Sequence, residues 1–259
     1  MKILNQKIDL LDFFHKVHTG PSLLMLDYDG TLAPFVNDRM QAYPYRGVIE
    51  RLNALIDQAN TLVVIVSGRS LADLESLLVV NFPLELWGSH GLERKLPNGK
   101  RVQIQLAAHT QEGLRQGIDI CTESGLWEWC EKKPYSIALH WRGQNQLKNS
   151  DAITLIEQYW GEICTIFALE IHKFDGGIEL RPKGKNKSDV VVELLHGMQS
   201  AAAIAYLGDD LTDEDAFKAL GDRGLKILVR KEWRPTLADI QLIPPKEVLT
   251  FFDDWINHE

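Results

Sequence analysis

Two carboxylates, one residue apart, directly follow a short apolar run near the start of the chain. The run covers residues 23–26, the acids are Asp27 and Asp29, and Gly30 and Thr31 come next. An apolar run that ends in turn residues predicts a buried strand. Two acids that repel each other there are costly unless a cation with oxygen ligands offsets their charge, and a solvated Asp-Gly turn would explain only one of them. A carboxylate in this setting can also be the nucleophile in phosphoryl transfer.

A second group of acids follows another apolar run and reads G-D-D-L-T-D-E-D at residues 208–215. The dipole of a helix favours acids in its first turn, and with Thr212 as the predicted N-cap this accounts for Asp213 and the acids after it. It does not account for Asp209 and Asp210 at the end of a buried strand. A divalent cation such as Mg²⁺, which takes an octahedral shell of oxygen ligands, would account for them.

Two further segments carry groups that suit an anion. Residues 67–70 read S-G-R-S after an apolar strand. The Ser67 hydroxyl could bind a phosphate oxygen and Arg69 could add charge, although the segment also fits a turn with Ser70 as a helix N-cap. Residues 183–188 read K-G-K-N-K-S before a predicted helix, where lysine charge, free N–H groups and the helix dipole favour an anion. A solvated basic loop is the alternative for this second segment.

Strands and helices must alternate to place these segments together. Apolar runs at residues 23–26, 62–66 and 203–207 predict strands that are buried on both faces, with an amphipathic helix at residues 45–59. This order predicts an α/β fold with a doubly wound, mostly parallel sheet. Ligands of such folds bind beyond the carboxyl ends of the strands, which is where the acids lie. Residues 246–256 predict a closing helix with apolar side chains directed inward, namely Val248, Leu249, Phe252 and Trp255.

The pattern changes at about residue 103, after a predicted hairpin at residues 92–106. Helices are predicted at residues 109–124 and 151–160, and half-exposed strands at residues 136–142 and near residues 165–172. This succession predicts a compact α+β unit. We interpret it as a cap domain at residues 103–175, inserted into a catalytic core made of residues 1–102 and 176–259.

Composition excludes several broad classes of function. The 259 residues are 45% hydrophobic and 25% charged, and the net charge of −8 disfavours general nucleic-acid binding. No apolar stretch approaches the ~20 residues of a membrane-spanning helix, and no signal peptide is evident. Cys121, Cys130 and Cys164 match no zinc or redox motif, which fits reduced thiols in a cytoplasmic protein.

The four segments, taken in chain order, resemble the four motifs of the haloacid dehalogenase-like phosphatases. The first is D-x-D-G-T-L after a hydrophobic strand, and the fourth is G-D-D-x-T-D-E. The resemblance implies that Asp27 attacks phosphorus and that Asp29 is the general acid and then the general base. It also implies catalytic roles for Ser67 in the second motif and Lys187 in the third.

The same resemblance implies that Mg²⁺ is the cofactor. The predicted metal residues are Asp27, Asp29, Asp209 and Asp213. Asp209 is expected to bind the ion directly, whereas Asp213 either binds it or supports a ligand, and the role of Asp210 stays open. Lys185 is a rival to Lys187, because Ser188 stands where the third motif usually has glycine.

Longer segments resemble the trehalose-6-phosphate phosphatases within this superfamily. They are L-D-Y-D-G-T-L-A-P, V-S-G-R, G-S-H-G-L-E, E-K-K-P-Y-S-I-A-L-H-W-R, I-E-L-R-P and G-D-D-L-T-D-E-D-A-F. The resemblance implies hydrolysis of trehalose 6-phosphate through an aspartyl-phosphate, with a cap that contacts the disaccharide. We further predict a monomer that binds neither nucleic acid nor membrane, with a trehalose-phosphate synthase as a candidate partner. The positions that match substrate-binding motifs are Arg69, His90, Glu93, Lys133, His140, Arg142 and Glu179.

Two other functions are compatible with these motifs. One is a phosphatase for another glycosyl phosphate, such as sucrose, glucosylglycerol or mannosylglycerate phosphate. The other is a catalytically silent module that senses a sugar phosphate and pairs with a glycosyltransferase. The intact set of Asp27, Asp29, Lys187 and Asp209 argues against silence, because a silent module has no use for paired acids that repel each other.

Overall fold

The computed structural model describes residues 1–58, 60–80, 83–141, 150–174 and 176–257 of the chain. It divides into two compact units. The first unit is Met1–Val102 with Asn186–Glu259, and the second is Gln103–Lys185. The second unit is therefore an insertion into the first. No helix in the described part of the chain is both long enough and apolar enough to cross a bilayer.

One sheet forms the centre of the first unit. Its described strands are β1 Lys2–Ile3, β2 Ser22–Leu26, β3 Thr61–Val66, β4 Glu85–Gly88, β5 Glu93–Lys95, β6 Arg101–Gln103, β11 Ala203–Gly208, β12 Leu225–Val229 and β13 Ile240–Leu242. Among the described residues these strands run in the order β1-β13-β12-β11-β2-β3-β4-β5-β6. The strands from β13 through β11, β2 and β3 to β4 pair in parallel, whereas β1 and β5 pair antiparallel with their neighbours. The expected doubly wound, mostly parallel sheet is confirmed.

Helices cover both faces of this sheet, which explains why its central strands are apolar without alternation. The helices are α1 Leu10–Thr19, α2 Val48–Asp57, α3 Leu71–Leu77, α6 Lys187–His196, α7 Leu211–Leu220 and α8 Lys246–Ile256. Leu24 and Leu26 of β2 pack into the cluster that contains α2 and α8. Leu23 and Met25 pack into a separate cluster that contains α6 and α7. Every side chain of β2 is therefore buried, as expected for a parallel sheet between two helical layers.

The predicted elements of the first unit are present with shifted ends. The helix predicted at residues 45–59 is the shorter α2. The strands β5 and β6 form the expected pair near the Pro97-Asn98-Gly99 turn. In α8, the buried side chains are Val248, Phe251, Phe252 and Trp255, whereas Leu249 is only partly buried.

The second unit packs two helices on one face of an antiparallel sheet. Among the described residues the strand order is β7-β8-β10-β9. Its elements are α4 Ala108–Glu123, β7 Cys130–Lys132, β8 Ile137–His140, α5 Ser150–Ile166, β9 Leu169–Phe174 and β10 Gly177–Pro182. The helix-facing side of the sheet carries Ile137, Leu139, Ile178 and Leu180, which pack with residues of α4 and α5.

The predicted boundary between residues 175 and 176 is wrong, because β10 belongs to the second unit. It pairs with β8 and β9, so that Glu179 lies opposite Ala138 on one side and His172 on the other. The sequence I-E-L-R of β10 alternates apolar and polar residues, unlike the uninterrupted apolar run of β2 in the first sheet. The strand expected near residues 165–172 is also displaced, since α5 continues to Ile166.

Candidate active site

The two acidic segments meet at the carboxyl edge of the first sheet. Strands β2 and β11 are parallel neighbours, and the N–H of Asp27 donates to the carbonyl of Leu207 at 2.8 Å. Carboxylate oxygens of Asp27, Asp209 and Asp213 lie within 4.8 Å of one another, and all three residues are buried. The structure thus brings together acids that are about 180 residues apart in the sequence, because their strands end side by side.

Glycines in both motifs make room for these carboxylates. Gly30 has a φ of 76°, and a Cβ placed there would lie 2.2 Å from Asp209 Oδ2. A Cβ at Gly208 would lie 2.2 Å from Asp213 Cγ. A side chain at either position would displace a carboxylate of the cluster, so each glycine is required by close approach.

Lys187 is buried among the three acids. Its Nζ donates to Asp27 Oδ1 at 2.8 Å and to Asp213 Oδ1 at 2.7 Å. It is the first residue of α6, whose N-cap Asn186 forms a capping box with Asp189. This geometry supports Lys187 as the lysine of the third motif, whereas Lys185 is half-buried in the second unit.

The acid cluster carries more negative charge than its lysine offsets. Burial raises the pKa of Asp27 to about 7, against the opposing effect of Lys187. Burial and the charges of Asp27 and Asp213 raise the pKa of Asp209 well above its usual range. Burial by itself would lower the pKa of Lys187, but the charges of Asp213 and Asp27 outweigh it and raise that pKa. Three carboxylates and one ammonium leave a charge that a divalent cation would balance, and their oxygen donors suit a hard cation.

Asp213 already accepts hydrogen bonds from four donors. Its Oδ1 accepts from Lys187 and from the Tyr206 hydroxyl at 2.8 Å. Its Oδ2 accepts from the N–H groups of Asp209 and Asp210, each at 3.0 Å. A carboxylate has about four lone-pair sites, so this arrangement favours a supporting role for Asp213 over direct coordination.

Asp210 caps α7, and the prediction that Thr212 is the N-cap is wrong. The Asp210 side chain accepts from Leu211 N at 2.7 Å and forms a capping box with Asp213. The D-L-T-D spacing itself satisfies the capping-box pattern, with an N-cap acid and a second acid three residues later. Asp210 therefore has a structural function that explains its presence without a metal.

Arg69 binds Asp29 rather than standing alone as an anion ligand. Its Nε donates to Asp29 Oδ2 and its Nη2 to Asp29 Oδ1, both at 2.7 Å. Its Nη1 donates to the carbonyl of Arg39 at 2.8 Å, and its guanidinium lies over the Tyr28 ring. Asp29 lies outside the group of three close carboxylates, and its side chain is 30% exposed, so it remains accessible.

Ser67 directly follows β3 at the same sheet edge, and the interpretation of the S-G-R-S segment as a turn with Ser70 as N-cap is confirmed, whereas phosphate binding by Ser67 stays a prediction. The buried Ser67 hydroxyl accepts from Arg69 N at 3.1 Å, which forms the turn. Ser70 caps α3 by accepting from Asp73 N at 3.1 Å. The turn therefore places Ser67 and Arg69 beside the acids that follow β2, the neighbouring parallel strand.

Two predicted substrate residues, His90 and Glu93, organise the neighbouring loop. Ser89 and His90 both have left-handed backbone conformations, with φ of 49° and 57°. Glu93 Oε2 accepts from the Ser89 hydroxyl at 2.7 Å and from Leu71 N at 3.2 Å, which ties this loop to the start of α3. The His90 ring lies against Gly68, where a Cβ would be 2.6 Å from Nε2. No local sequence pattern indicates these contacts of Glu93.

The predicted residues of the second unit share the polar face of its sheet. Glu179 Oε1 accepts from Lys133 Nζ at 2.9 Å and from the Ser136 hydroxyl at 2.5 Å. His140 Nε2 lies 2.9 Å from Glu131 Oε2. Ser136 and Glu131 were not predicted; Glu131 lies in β7, and Ser136 directly precedes β8. Arg142, the remaining predicted residue of this unit, lies outside the described residues.

Comparisons with known proteins agree with these motifs. The family model of trehalose-phosphatase matches residues 25–242. The trehalose-phosphate phosphatase of Mycobacterium tuberculosis is 32% identical over 246 residues, which cover 89% of this chain and 60% of that relative. The chain thus spans about 60% of the length of that relative.

Two solved structures from Candida albicans show the same fold. The C-terminal domain of trehalose-6-phosphate phosphatase has a TM-score of 0.80 at 22% identity and covers 99% of each chain. The C-terminal domain of the trehalose synthase regulatory protein has a TM-score of 0.74 at 12% identity, with 97% of this chain and 99% of that chain covered. The fold therefore occurs both in a protein named as a phosphatase and in one named as a regulator, so residues must decide the function.

Proposed function

Because this chain belongs to the trehalose-phosphatase family, we propose that it is a Mg²⁺-dependent phosphatase that hydrolyses trehalose 6-phosphate to trehalose and phosphate. The observation that carries the proposal is the buried contact of Lys187 with Asp27 beside Asp209 and Asp213. A regulatory domain without chemistry would gain nothing from three buried carboxylates that repel one another.

Asp27 is the proposed nucleophile. Lys187 binds its Oδ1, so we assign Oδ2 to the attack on phosphorus. A bond forms between Oδ2 and phosphorus while the bond from phosphorus to the sugar oxygen breaks, which gives an aspartyl-phosphate. Lys187 and the Ser67 hydroxyl are proposed to bind phosphoryl oxygens and to hold the group in line.

Asp29 is proposed to transfer one proton in each of the two steps of the reaction. It gives a proton to the leaving sugar oxygen, and it then takes one from the water that attacks the aspartyl-phosphate. Both oxygens of Asp29 accept hydrogen bonds from Arg69 in this structure, which is the proton-free arrangement that suits the second step. The first step requires a proton on one of these oxygens, so one of the two hydrogen bonds from Arg69 must break when Asp29 acts as an acid, while the other can keep its orientation.

Mg²⁺ is proposed to bind Asp27 and Asp209, with Asp213 holding the surrounding backbone. When bound, the cation would supply positive charge that neutralises the phosphoryl oxygens. A site with few carboxylate ligands suits Mg²⁺, which is small and keeps several bound waters. Ca²⁺ takes more oxygen ligands in a larger shell and fits this site less well.

The polar face of the second unit is proposed to bind sugar hydroxyls. Lys133, His140 and Glu179 offer the donors and acceptors that a disaccharide needs, and Arg142 is expected to add a donor. In the first unit, His90 is the proposed sugar ligand, whereas Glu93 acts through the loop that carries His90. A cytoplasmic location, a monomeric state and a trehalose-phosphate synthase as partner stay predictions.

A substrate panel tests this proposal against its two rivals. The full chain with Mg²⁺ is assayed for phosphate release from p-nitrophenyl phosphate, and then from trehalose, sucrose, glucosylglycerol and mannosylglycerate phosphates. We expect hydrolysis of the aryl phosphate and a kcat/KM for trehalose 6-phosphate that exceeds the others by about tenfold or more, which corresponds to about 1.4 kcal/mol of transition-state discrimination. A higher kcat/KM for another sugar phosphate would identify that compound as the substrate instead. If no compound released phosphate, the result would favour the silent module.

A further inference from the structure

Side chains bind both the N–H groups and the carbonyl groups of Asp209 and Asp210. The N–H groups of these residues donate to Asp213 Oδ2 at 3.0 Å each. Their carbonyl oxygens accept from Nη2 of Arg234, at 2.8 Å for Asp210 and 3.4 Å for Asp209. The donors and acceptors of both residues are therefore bound by one carboxylate and one guanidinium.

Arg234 is itself held in place. Its Nη1 donates to Glu214 Oε1 in the first turn of α7 and to the carbonyl of Pro235 at 3.0 Å. Glu214 Oε2 also accepts from Leu237 N at 2.8 Å. The Arg234 side chain is only 14% exposed. The segment after β12 is thus joined to the acidic turn through a nearly buried ion pair.

We propose that Arg234 is a positioning residue of the cation site and that it acts through the backbone of Asp209 and Asp210. The inference rests on the proposed function, because it concerns the site at which Mg²⁺ would bind. The Asp209 carboxylate lies so close to Gly30 that no Cβ would fit between them. The direction of the Asp209 carboxylate therefore depends on the backbone of Asp209. Because Mg²⁺ tolerates little departure from octahedral geometry, a shift of this backbone would weaken Mg²⁺ binding.

The charge of Arg234 and its hydrogen bonds predict opposite changes in Mg²⁺ affinity when Arg234 is replaced, which makes the proposal testable. By charge alone, a guanidinium near the site repels a cation, so its removal would strengthen Mg²⁺ binding. By geometry, its removal frees the two carbonyl groups and misplaces Asp209, so Mg²⁺ binding would weaken. Residues that orient metal ligands typically change metal affinity by about 10- to 100-fold when they are replaced.

The test measures Mg²⁺ binding to the full chain by titration calorimetry and by the Mg²⁺-dependent rise in melting temperature, without substrate. The variant Arg234→Met keeps the aliphatic stem and removes all donors. We expect its Kd for Mg²⁺ to rise about 10- to 100-fold, with kcat for p-nitrophenyl phosphate largely restored at saturating Mg²⁺. Arg234→Lys, which can still donate to one carbonyl, is expected to lie between Arg234→Met and the wild type.

Arg51 provides the matched control. It also binds a carboxylate and a backbone carbonyl, namely Asp253 through two bonds of 2.7 Å and Gly47 at 3.1 Å, within the same unit. Arg51→Met should lower stability and leave the Kd for Mg²⁺ within about twofold of wild type.

Three outcomes would overturn the inference. The first is that folded Arg234→Met binds Mg²⁺ as tightly as the wild type or more tightly. The second, if Arg234→Met does not fold, is that Arg234→Lys binds Mg²⁺ as the wild type does. In both cases the wild-type protein would still bind Mg²⁺ and hydrolyse substrate, so the proposed function would not be affected. The third is that the wild-type protein neither binds Mg²⁺ nor hydrolyses the aryl phosphate, which would reject the proposed function together with this inference.

Discussion

Arg69 binds both carboxylate oxygens of Asp29, with Nε–Oδ2 and Nη2–Oδ1 distances of 2.7 Å. This pair sets the orientation of the proposed proton donor and acceptor. Replacement of Arg69 with methionine should therefore slow hydrolysis of the aspartyl-phosphate more than its formation, because the water-attack step needs Asp29 free of protons and correctly oriented. We expect kcat for p-nitrophenyl phosphate to fall about 100-fold, within the usual range for general base catalysis.

Rapid-mixing kinetics would check this prediction. Arg69→Met should release a burst of p-nitrophenol equal to the enzyme concentration, followed by slow turnover. Arg39→Ala is the control, since Arg39 offers its backbone carbonyl to Arg69 and its own side chain pairs with Asp73. Wild-type kcat in Arg69→Met, or the same loss in Arg39→Ala, would contradict the assigned function of Arg69.

The buried acids predict how stability depends on pH. Because the pKa of Asp27 is raised from 3.8 to about 7, the folded protein holds a proton there that the unfolded chain has lost. Without a divalent cation, stability should therefore fall as pH rises from about 4 to about 7. Asp209 acts in the same direction, because its pKa is also raised.

Urea unfolding with EDTA between pH 4 and pH 8 measures this fall, and added Mg²⁺ should remove most of it at pH 7 and above. Asp27→Asn should flatten the pH dependence, since it removes one titrating group. A free energy of unfolding that rises with pH through this range in EDTA would contradict the prediction.

Tyr206 should contribute to stability through Asp213. Its hydroxyl, fully buried, donates to a buried carboxylate at 2.8 Å. Tyr206→Phe removes a hydrogen bond to a charged group and should cost about 1.5–3 kcal/mol of unfolding free energy. Tyr28→Phe is the matched control, because the equally buried Tyr28 hydroxyl donates to the neutral carbonyl of Ala42 at 2.7 Å, where about 1 kcal/mol is expected. If urea unfolding showed equal losses of unfolding free energy in the two variants, the charge of Asp213 would add nothing to the strength of the Tyr206 hydrogen bond.

The polar residues of the second unit should affect the sugar substrate selectively. His140 pairs with Glu131, and its side chain is 43% exposed, so His140→Ala should leave the fold intact. We expect kcat/KM for trehalose 6-phosphate to fall about 3- to 10-fold, as for a lost hydrogen bond worth about 1 kcal/mol, with the aryl phosphate near wild type. Arg142→Ala is expected to act in the same direction.

Lys173→Ala serves as the control for His140→Ala. Lys173 is an exposed residue of the same unit that pairs with Glu157, and we expect no effect on either substrate. Equal losses on both substrates in His140→Ala would mean that His140 supports the fold or the chemical step.

Much of the site was predictable because parallel neighbouring strands end at one edge. Once residues 23–26 and 203–207 are interpreted as buried parallel strands, Asp27 and Asp209 must lie at the same edge of the sheet. The apolar run of β2 also reveals its two-sided burial. These inferences need only local composition and the general rules of α/β sheets.

Other features depend on contacts that no local pattern encodes. Arg234 reaches the acidic turn from a segment without a recognisable motif. Glu93 resembles a substrate ligand in sequence, yet its carboxylate binds Ser89 and Leu71 N. The assignment of β10 failed for a different reason, since a strand that alternates apolar and polar residues fits either the edge of one sheet or the centre of another.

The central claim is that Asp27 becomes phosphorylated. The most direct measurement is to quench the full chain during turnover of trehalose 6-phosphate, reduce it with borohydride, and map the modified peptide by mass spectrometry. Borohydride converts an aspartyl-phosphate to homoserine, so the account predicts homoserine at position 27 in the wild type and an unmodified residue in a folded, inactive Asp27→Asn. Turnover by Asp27→Asn within tenfold of wild type, or homoserine at another aspartate, would contradict it.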